Sequence, residues 1–117
     1  MAVFVLLDID NNDITDLTGI NAFHNLDRLY VPYNNIISLN LSSLTLLSSL
    51  SVNGNQIQYL DLSQNTELTY LNATNNNLTD IDLSNNTNLE TINVKTIFTN
   101  ELDIDLLIKT LNSLQLR

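Results

Sequence analysis

From Leu60 to Val94 this chain is a shifted copy of itself. Moved by 21 residues, Leu60 falls on Ile81, Leu62 on Leu83, Leu68 on Leu89, Leu71 on Ile92 and Ala73 on Val94. The same step backwards lands on Leu39, Leu41, Leu47, Leu50 and Val52. A self-match at a fixed period of this size means stacked units. Each unit is too small to bury its own apolar face and does so against its neighbours.

The unit reads LxxLxLxxNxLxxLxL. Its first copy holds Phe4, Leu7, Ile9, Asn12, Ile14 and Leu17. The second holds Leu26, Leu29, Val31, Asn34, Ile36, Leu39 and Leu41. The third and fourth carry Asn55 and Asn76 at the same place. A fifth begins at Leu89, Ile92 and Val94, then breaks because Ile97 stands where the Asn should be. The first step is 22 residues and the later ones are 21.

The alternating LxL segment predicts a short strand with its apolar residues inward. Successive strands then lie side by side as a parallel sheet. The Asn follows the strand, where the chain bends. A buried amide there can satisfy backbone groups that the bend leaves unpaired in a dry place. Asn12, Asn34, Asn55 and Asn76 are therefore expected to form a structural ladder. A second apolar pair, such as Leu60 and Leu62, closes the far wall. Asn65 and Asn86 follow that pair and predict a shorter second ladder, with Leu44 at the equivalent place one unit earlier.

These units resemble bacterial leucine-rich repeats, specifically the 21-residue IRREKO type, LxxLxLxxNxLxxLDLxxNxx; residues 68–88 read LTYLNATNNNLTDIDLSNNTN. The opening stretch, DITDLTGINAFHNLDRLYV, is similar to the 22-residue repeats of internalin-type surface proteins. The resemblance covers roughly residues 4 to 98. It implies an α/β repeat solenoid: a short right-handed coil, with a parallel sheet on its concave side. It also implies a role in binding macromolecules, often outside the cell at the bacterial surface.

Composition narrows the function. The 117 residues make one domain, with 44% apolar residues. Asn is about one residue in six, while the chain has two Gly and one Pro. Turns must therefore be built from Asn, Asp, Ser and Thr, whose side chains bond their own backbone. The net charge is −9 with four basic residues. That argues against nucleic acid, which needs clustered Lys and Arg, and against anionic lipid. There is no cysteine, which excludes disulfides and thiolate metal sites. Met1–Leu7 is too short for a signal peptide and lacks a basic flank. No stretch approaches the ~20 apolar residues of a membrane span. Localisation is open: a cytosolic chain, or a segment whose leader lies elsewhere.

The two ends differ from the repeats. Residues 1–98 are expected to form the solenoid of about five units. Over residues 99–117, Ile104, Leu107, Ile108, Leu111 and Leu114 recur at helical spacing. Asn100 suits the N-cap, with Glu101, Asp103 and Asp105 in the first turn. This predicts an amphipathic helix that caps the last coil or interrupts a longer array. At the other end, Val3, Val5 and Leu6 predict an uncovered edge strand. Such an edge is a template for another chain, so homo-oligomerisation through uncapped ends is one reading. A segment cut from a longer array is the other.

The side chains projecting outward from the sheet are the candidate ligand-binding set. Arg28, Tyr30, Tyr33 and Tyr70 converge near the second to fourth units, with Asn72 beside them. Tyr and Arg are over-represented as binding anchors. Strand propensity alone also accounts for tyrosine on a sheet. Asp8, Asp10 and Asp13 do not make a calcium loop, because Asp13 and Gly19 stand where an EF-hand needs Gly and Glu. A weak cation site at Asp8 and Asp10 competes with a merely solvated acidic edge. His24 is the single histidine, too little for zinc, and no serine is marked as its nucleophile. No glycine-rich phosphate loop exists. Asn40-Leu-Ser, Asn72-Ala-Thr, Asn77-Leu-Thr and Asn85-Asn-Thr match glycosylation acceptors through composition alone.

The expected function is a non-catalytic recognition module with no cofactor, binding a protein or glycan on the sheet. The alternative is a structural spacer or self-associating segment. An enzyme ranks last, since no convergent set of titratable groups is evident.

Overall fold

A computed structural model describes residues 5–94. Its core is one parallel five-stranded sheet in sequence order: β1 Val5–Asp8, β2 Leu26–Tyr30, β3 Ser49–Ser51, β4 Tyr70–Asn72 and β5 Thr91–Asn93. The register pairs Leu7 with Leu29, Leu29 with Leu50, Leu50 with Leu71 and Leu71 with Ile92. Those pairings reproduce the repeat as the sequence sets it out. Where β1 meets β2 the register slips between Val5 and Leu6, so that Asp27 has no partner opposite. The strands are short because each coil must turn into the body of the molecule after its LxL segment.

The inward columns of the strands are apolar. Leu29, Leu50 and Leu71 are fully buried, as are Val31, Val52 and Ala73. Leu41, Leu62 and Leu83 close the opposite wall. One continuous core thus runs through the stack, with Leu7, Ile9, Ile92 and Val94 only partly covered at its ends. This follows from stacking, since an interior coil is covered on both sides and an outer one on one side.

Five strands bound about four turns of a β-solenoid. Among the described residues there is no α-helix. The one helical element is the 3-10 turn Ile20–Ala22, which lies on the far wall of the first coil. The expected α/β class is therefore present only in its β part. The helix expected over residues 99–117 lies outside the described residues, as do the Ile97 break and Val3.

Candidate functional site

Each coil bends twice, and the two bends are built differently. At the near bend, just after the strand, Asn34, Asn55 and Asn76 are buried. The Asn55 side-chain amide donates to the carbonyls of Val31 at 3.1 Å, Val52 at 2.9 Å and Asn53 at 3.4 Å. Its Oδ1 accepts the Ile36 N–H at 3.0 Å. Asn76 repeats this with Val52, Ala73 and Thr74 as acceptors and the Ile57 N–H as donor. Asn34 holds the Ile9, Val31 and Pro32 carbonyls and accepts from both Asn12 and Ile14 N–H.

Each rung therefore reaches back to the coil before it. Asn12, expected in the same ladder, makes only the local part of a rung. Its side chain is exposed and donates locally to the Asp10 carbonyl at 2.6 Å. No described coil precedes it, so its amide has no earlier carbonyl to hold.

The near bend also needs a left-handed residue. Asn11, Tyr33, Gly54 and Asn75 occupy one column and have φ of 54, 55, 73 and 56°. Asn and Gly tolerate that conformation, whereas a bulky side chain rarely adopts it. Tyr33 is the exception. Its ring lies over Gly54, where any added Cβ would collide with it.

The far bend uses other chemistry. Asn65 donates to the carbonyls of Leu41 at 3.0 Å and Leu44 at 2.9 Å. Asn86 donates to those of Leu62 and Asn65, each at 2.9 Å. Just before it, Asp16, Asn40, Asp61 and Asp82 each accept the backbone N–H of the residue two places on: Thr18, Ser42, Ser63 and Ser84. The hydroxyls of Thr18, Ser63 and Ser84 also bond these acids, and together with the backbone N–H they hold the Asp16, Asp61 and Asp82 carboxyls below the usual value. The repeated D/N-L-S/T triplet is the sequence signal for this column. Sequence reasoning used only its apolar centre.

The outer face of the sheet is the face expected to carry a ligand. Arg28, Ser49, Tyr70 and Thr91 share one column; Tyr30, Ser51, Asn72 and Asn93 share the next. Tyr30 and Tyr70 flank a shallow depression of about 430 Å³ whose floor is Ser49 and Ser51. The Tyr30 hydroxyl and Ser49 Oγ lie 2.9 Å apart in a hydrogen bond. Two small side chains between two large ones make the hollow, and sequence reasoning did not single out those serines. Their signal is the paired Ser in one unit, with Tyr on both neighbouring units.

The other expected residues sit around this hollow. Asn72 Oδ1 accepts from the Thr74 N–H and hydroxyl, at 3.2 and 2.9 Å. Arg28 Nε bonds Asp27 Oδ2 at 3.3 Å. Tyr33 is 57% exposed and stands at the bend, outside the hollow's lining. Two further depressions lie on the far wall, around Asn21 and Tyr59. His24 is exposed, apart from this face. Among the described residues no group of three or more His, Cys, Asp or Glu is placed to hold a metal ion, and no helix is long and apolar enough to cross a membrane.

No family model and no curated protein matches the chain. Solved structures do. The functional domain of InlJ from Listeria monocytogenes, which includes a cysteine ladder, matches 86% of this chain at 31% identity with a TM-score of 0.66. An internalin, inlF, from Listeria monocytogenes matches 93% at 25% identity with a TM-score of 0.77. The fold is a leucine-rich-repeat solenoid. The match covers only 28% of the first neighbour's chain and 31% of the second's, so this solenoid spans less than a third of either. Where InlJ includes a ladder of cysteines, this chain has no cysteine and its ladders are built from asparagine.

Proposed function

We propose that this solenoid is a non-catalytic protein-recognition module whose ligand lies across the outer sheet face. The observation that carries the reading is the hollow between Tyr30 and Tyr70, floored by Ser49 and Ser51. Aromatic side chains around a recess are the residue types that dominate binding energy at interfaces. Arg28, Tyr33 and Asn72 extend the surface on either side. Structural similarity to internalins supports a repeat built for protein interaction and a place at the bacterial cell surface. Register steps of 21 residues after a first step of 22 support the finer reading of IRREKO-type units behind an internalin-like first repeat.

The test is a screen of the purified chain on protein and glycan arrays. Hits are expected to vanish with Tyr30→Ala/Tyr70→Ala and to persist with Tyr59→Ala on the far wall. Hits indifferent to the double change would put the site elsewhere.

One observation favours a second reading, self-association. β1 pairs on one side only among the described strands, and Leu6 on it is 51% exposed. An open edge accepts another strand. Light scattering then gives a concentration-dependent dimer that Val5→Glu abolishes, whereas a monomer at every concentration removes this reading.

A further inference from the structure

We infer that the occupant of the outer sheet face is a cationic segment of a partner protein, with Lys or Arg side chains laid on Tyr30, Tyr33 and Tyr70 and countered by Asp8 and Asp10. This rests on the reading of that face as the recognition surface, and it adds the chemistry of the partner.

Three independent observations converge on it. The first is charge. The chain carries −9, and Arg28 is the single Lys or Arg among residues 5–94. Asp8 stands directly opposite Tyr30 in the register, and Asp10 is two residues further along the same side. Both are exposed, and neither carboxylate has a counter-ion among the described residues. Arg28, the one cation on the described part of this face, is paired with Asp27, and the net negative field of the chain raises the association rate of ligands of opposite sign.

The second is the state of the polar groups around the hollow. Asn72 Oδ1 is taken by Thr74, and Asn53 Oδ1 accepts the Ser51 hydroxyl at 2.6 Å. The acceptor end of each amide is thus engaged locally, which leaves its N–H groups as the donors open to a ligand's oxygens. Peptide carbonyls meet that need. The carboxylates of Asp8 and Asp10 are the charged acceptors on this face, and they call for N–H donors bearing positive charge. A neutral sugar would instead need donors and acceptors paired along its ring.

The third is Tyr33. Its column needs only a residue that tolerates a left-handed backbone, and the other coils supply Asn11, Gly54 and Asn75. A tyrosine there is strained, and strain retained beside a candidate site points to use. Gly54 leaves the space in which the Tyr33 ring rests. The ring rests there exposed, a further aromatic side chain at the bend beyond the hollow. Tyrosine faces attract Lys and Arg through their quadrupole.

The experiment is fluorescence anisotropy of the full chain with a labelled hexa-arginine peptide. Saturable binding is expected, weakening as salt rises past ~0.1 M, where the screening length is about 10 Å. Tyr30→Ala/Tyr70→Ala leaves the charge unchanged and should lower affinity about tenfold. Tyr33→Asn should lower it several-fold without loss of thermal stability. Asp8→Asn/Asp10→Asn should also lower it several-fold, whereas Asp61→Asn/Asp82→Asn on the far wall should not. That control folds, because Asn40 already stands in the same column.

Equal losses from the two acid pairs, or full binding by the tyrosine variant, would reduce the attraction to diffuse charge and overturn the inference. Absence of peptide binding, with array hits on neutral or acidic ligands that Tyr30→Ala/Tyr70→Ala removes, sinks the cationic partner and keeps the recognition surface. Array hits that survive the double change sink both.

Discussion

The two bends of each coil solve one problem with different strictness. At the near bend the amide both gives and receives. Asn55 caps three carbonyls and is the hydrogen-bond acceptor for the Ile36 N–H. At the far bend the amide only gives. Asn65 caps Leu41 and Leu44, and its own buried Oδ1 receives nothing. Those two carbonyls also accept backbone N–H groups, from Leu44 and Leu47. Removing Asn65 thins their hydrogen bonding without abolishing it. Removing Asn55 strands a donor, and an orphaned buried N–H is the rarer and costlier defect. Asparagine is therefore present at the near bend in every interior coil, while the far bend admits Leu44.

The largest effect that bears on this contrast is Asn55→Ala. It should cost about 1–3 kcal/mol, the penalty of an unsatisfied buried polar group, measured by urea unfolding. Asn65→Leu should cost under ~1 kcal/mol, because it copies Leu44 and removes a lone buried acceptor. Equal costs would break the comparison. Tyr33→Gly should stabilise the chain by up to ~1 kcal/mol, since a left-handed residue with a side chain is penalised by about that much or more. A loss there would mean that the ring's packing on Gly54 outweighs its backbone strain.

The smallest effect belongs to the far bend and to pH. Hydrogen bonds from Thr18, Ser63 and Ser84 lower the Asp16, Asp61 and Asp82 carboxyls in the folded chain. Their contribution is present above the ordinary carboxylate value of 3.8 and is lost as pH falls through the lower folded values. The melting temperature should thus stay level from neutral pH to about 5 and drop below about 4. Asp61→Asn/Asp82→Asn should make that drop shallower, because an amide keeps the acceptor and does not titrate.

Much of the architecture was legible because stacking leaves apolar columns no other place to go. Leu29, Leu50 and Leu71 had to share an interior, and the spacing of the near-bend asparagines follows from it. Asn12 shows only the local bond of a rung, because a rung is defined by two coils, and the period shows position without showing what lies ahead of it. The hollow was half legible: its tyrosines were, its serine floor was not. A recess is a difference in size between neighbouring strands, and a reading by residue type looks for large groups. The aspartate column was hidden inside the DLS and DLT triplets, whose leucines took the attention.

The backward reach of every rung gives the stack a direction of growth. A further coil placed between β2 and β5 would bring its own asparagine and fasten itself to carbonyls already in place. A coil inserted ahead of β1 would have to offer matching oxygens and an N–H to Asn12, whose amide here holds the local Asp10 carbonyl. Duplication of a 21-residue cassette is therefore simplest within the body of the array, and its length can change there without redesign of what precedes it.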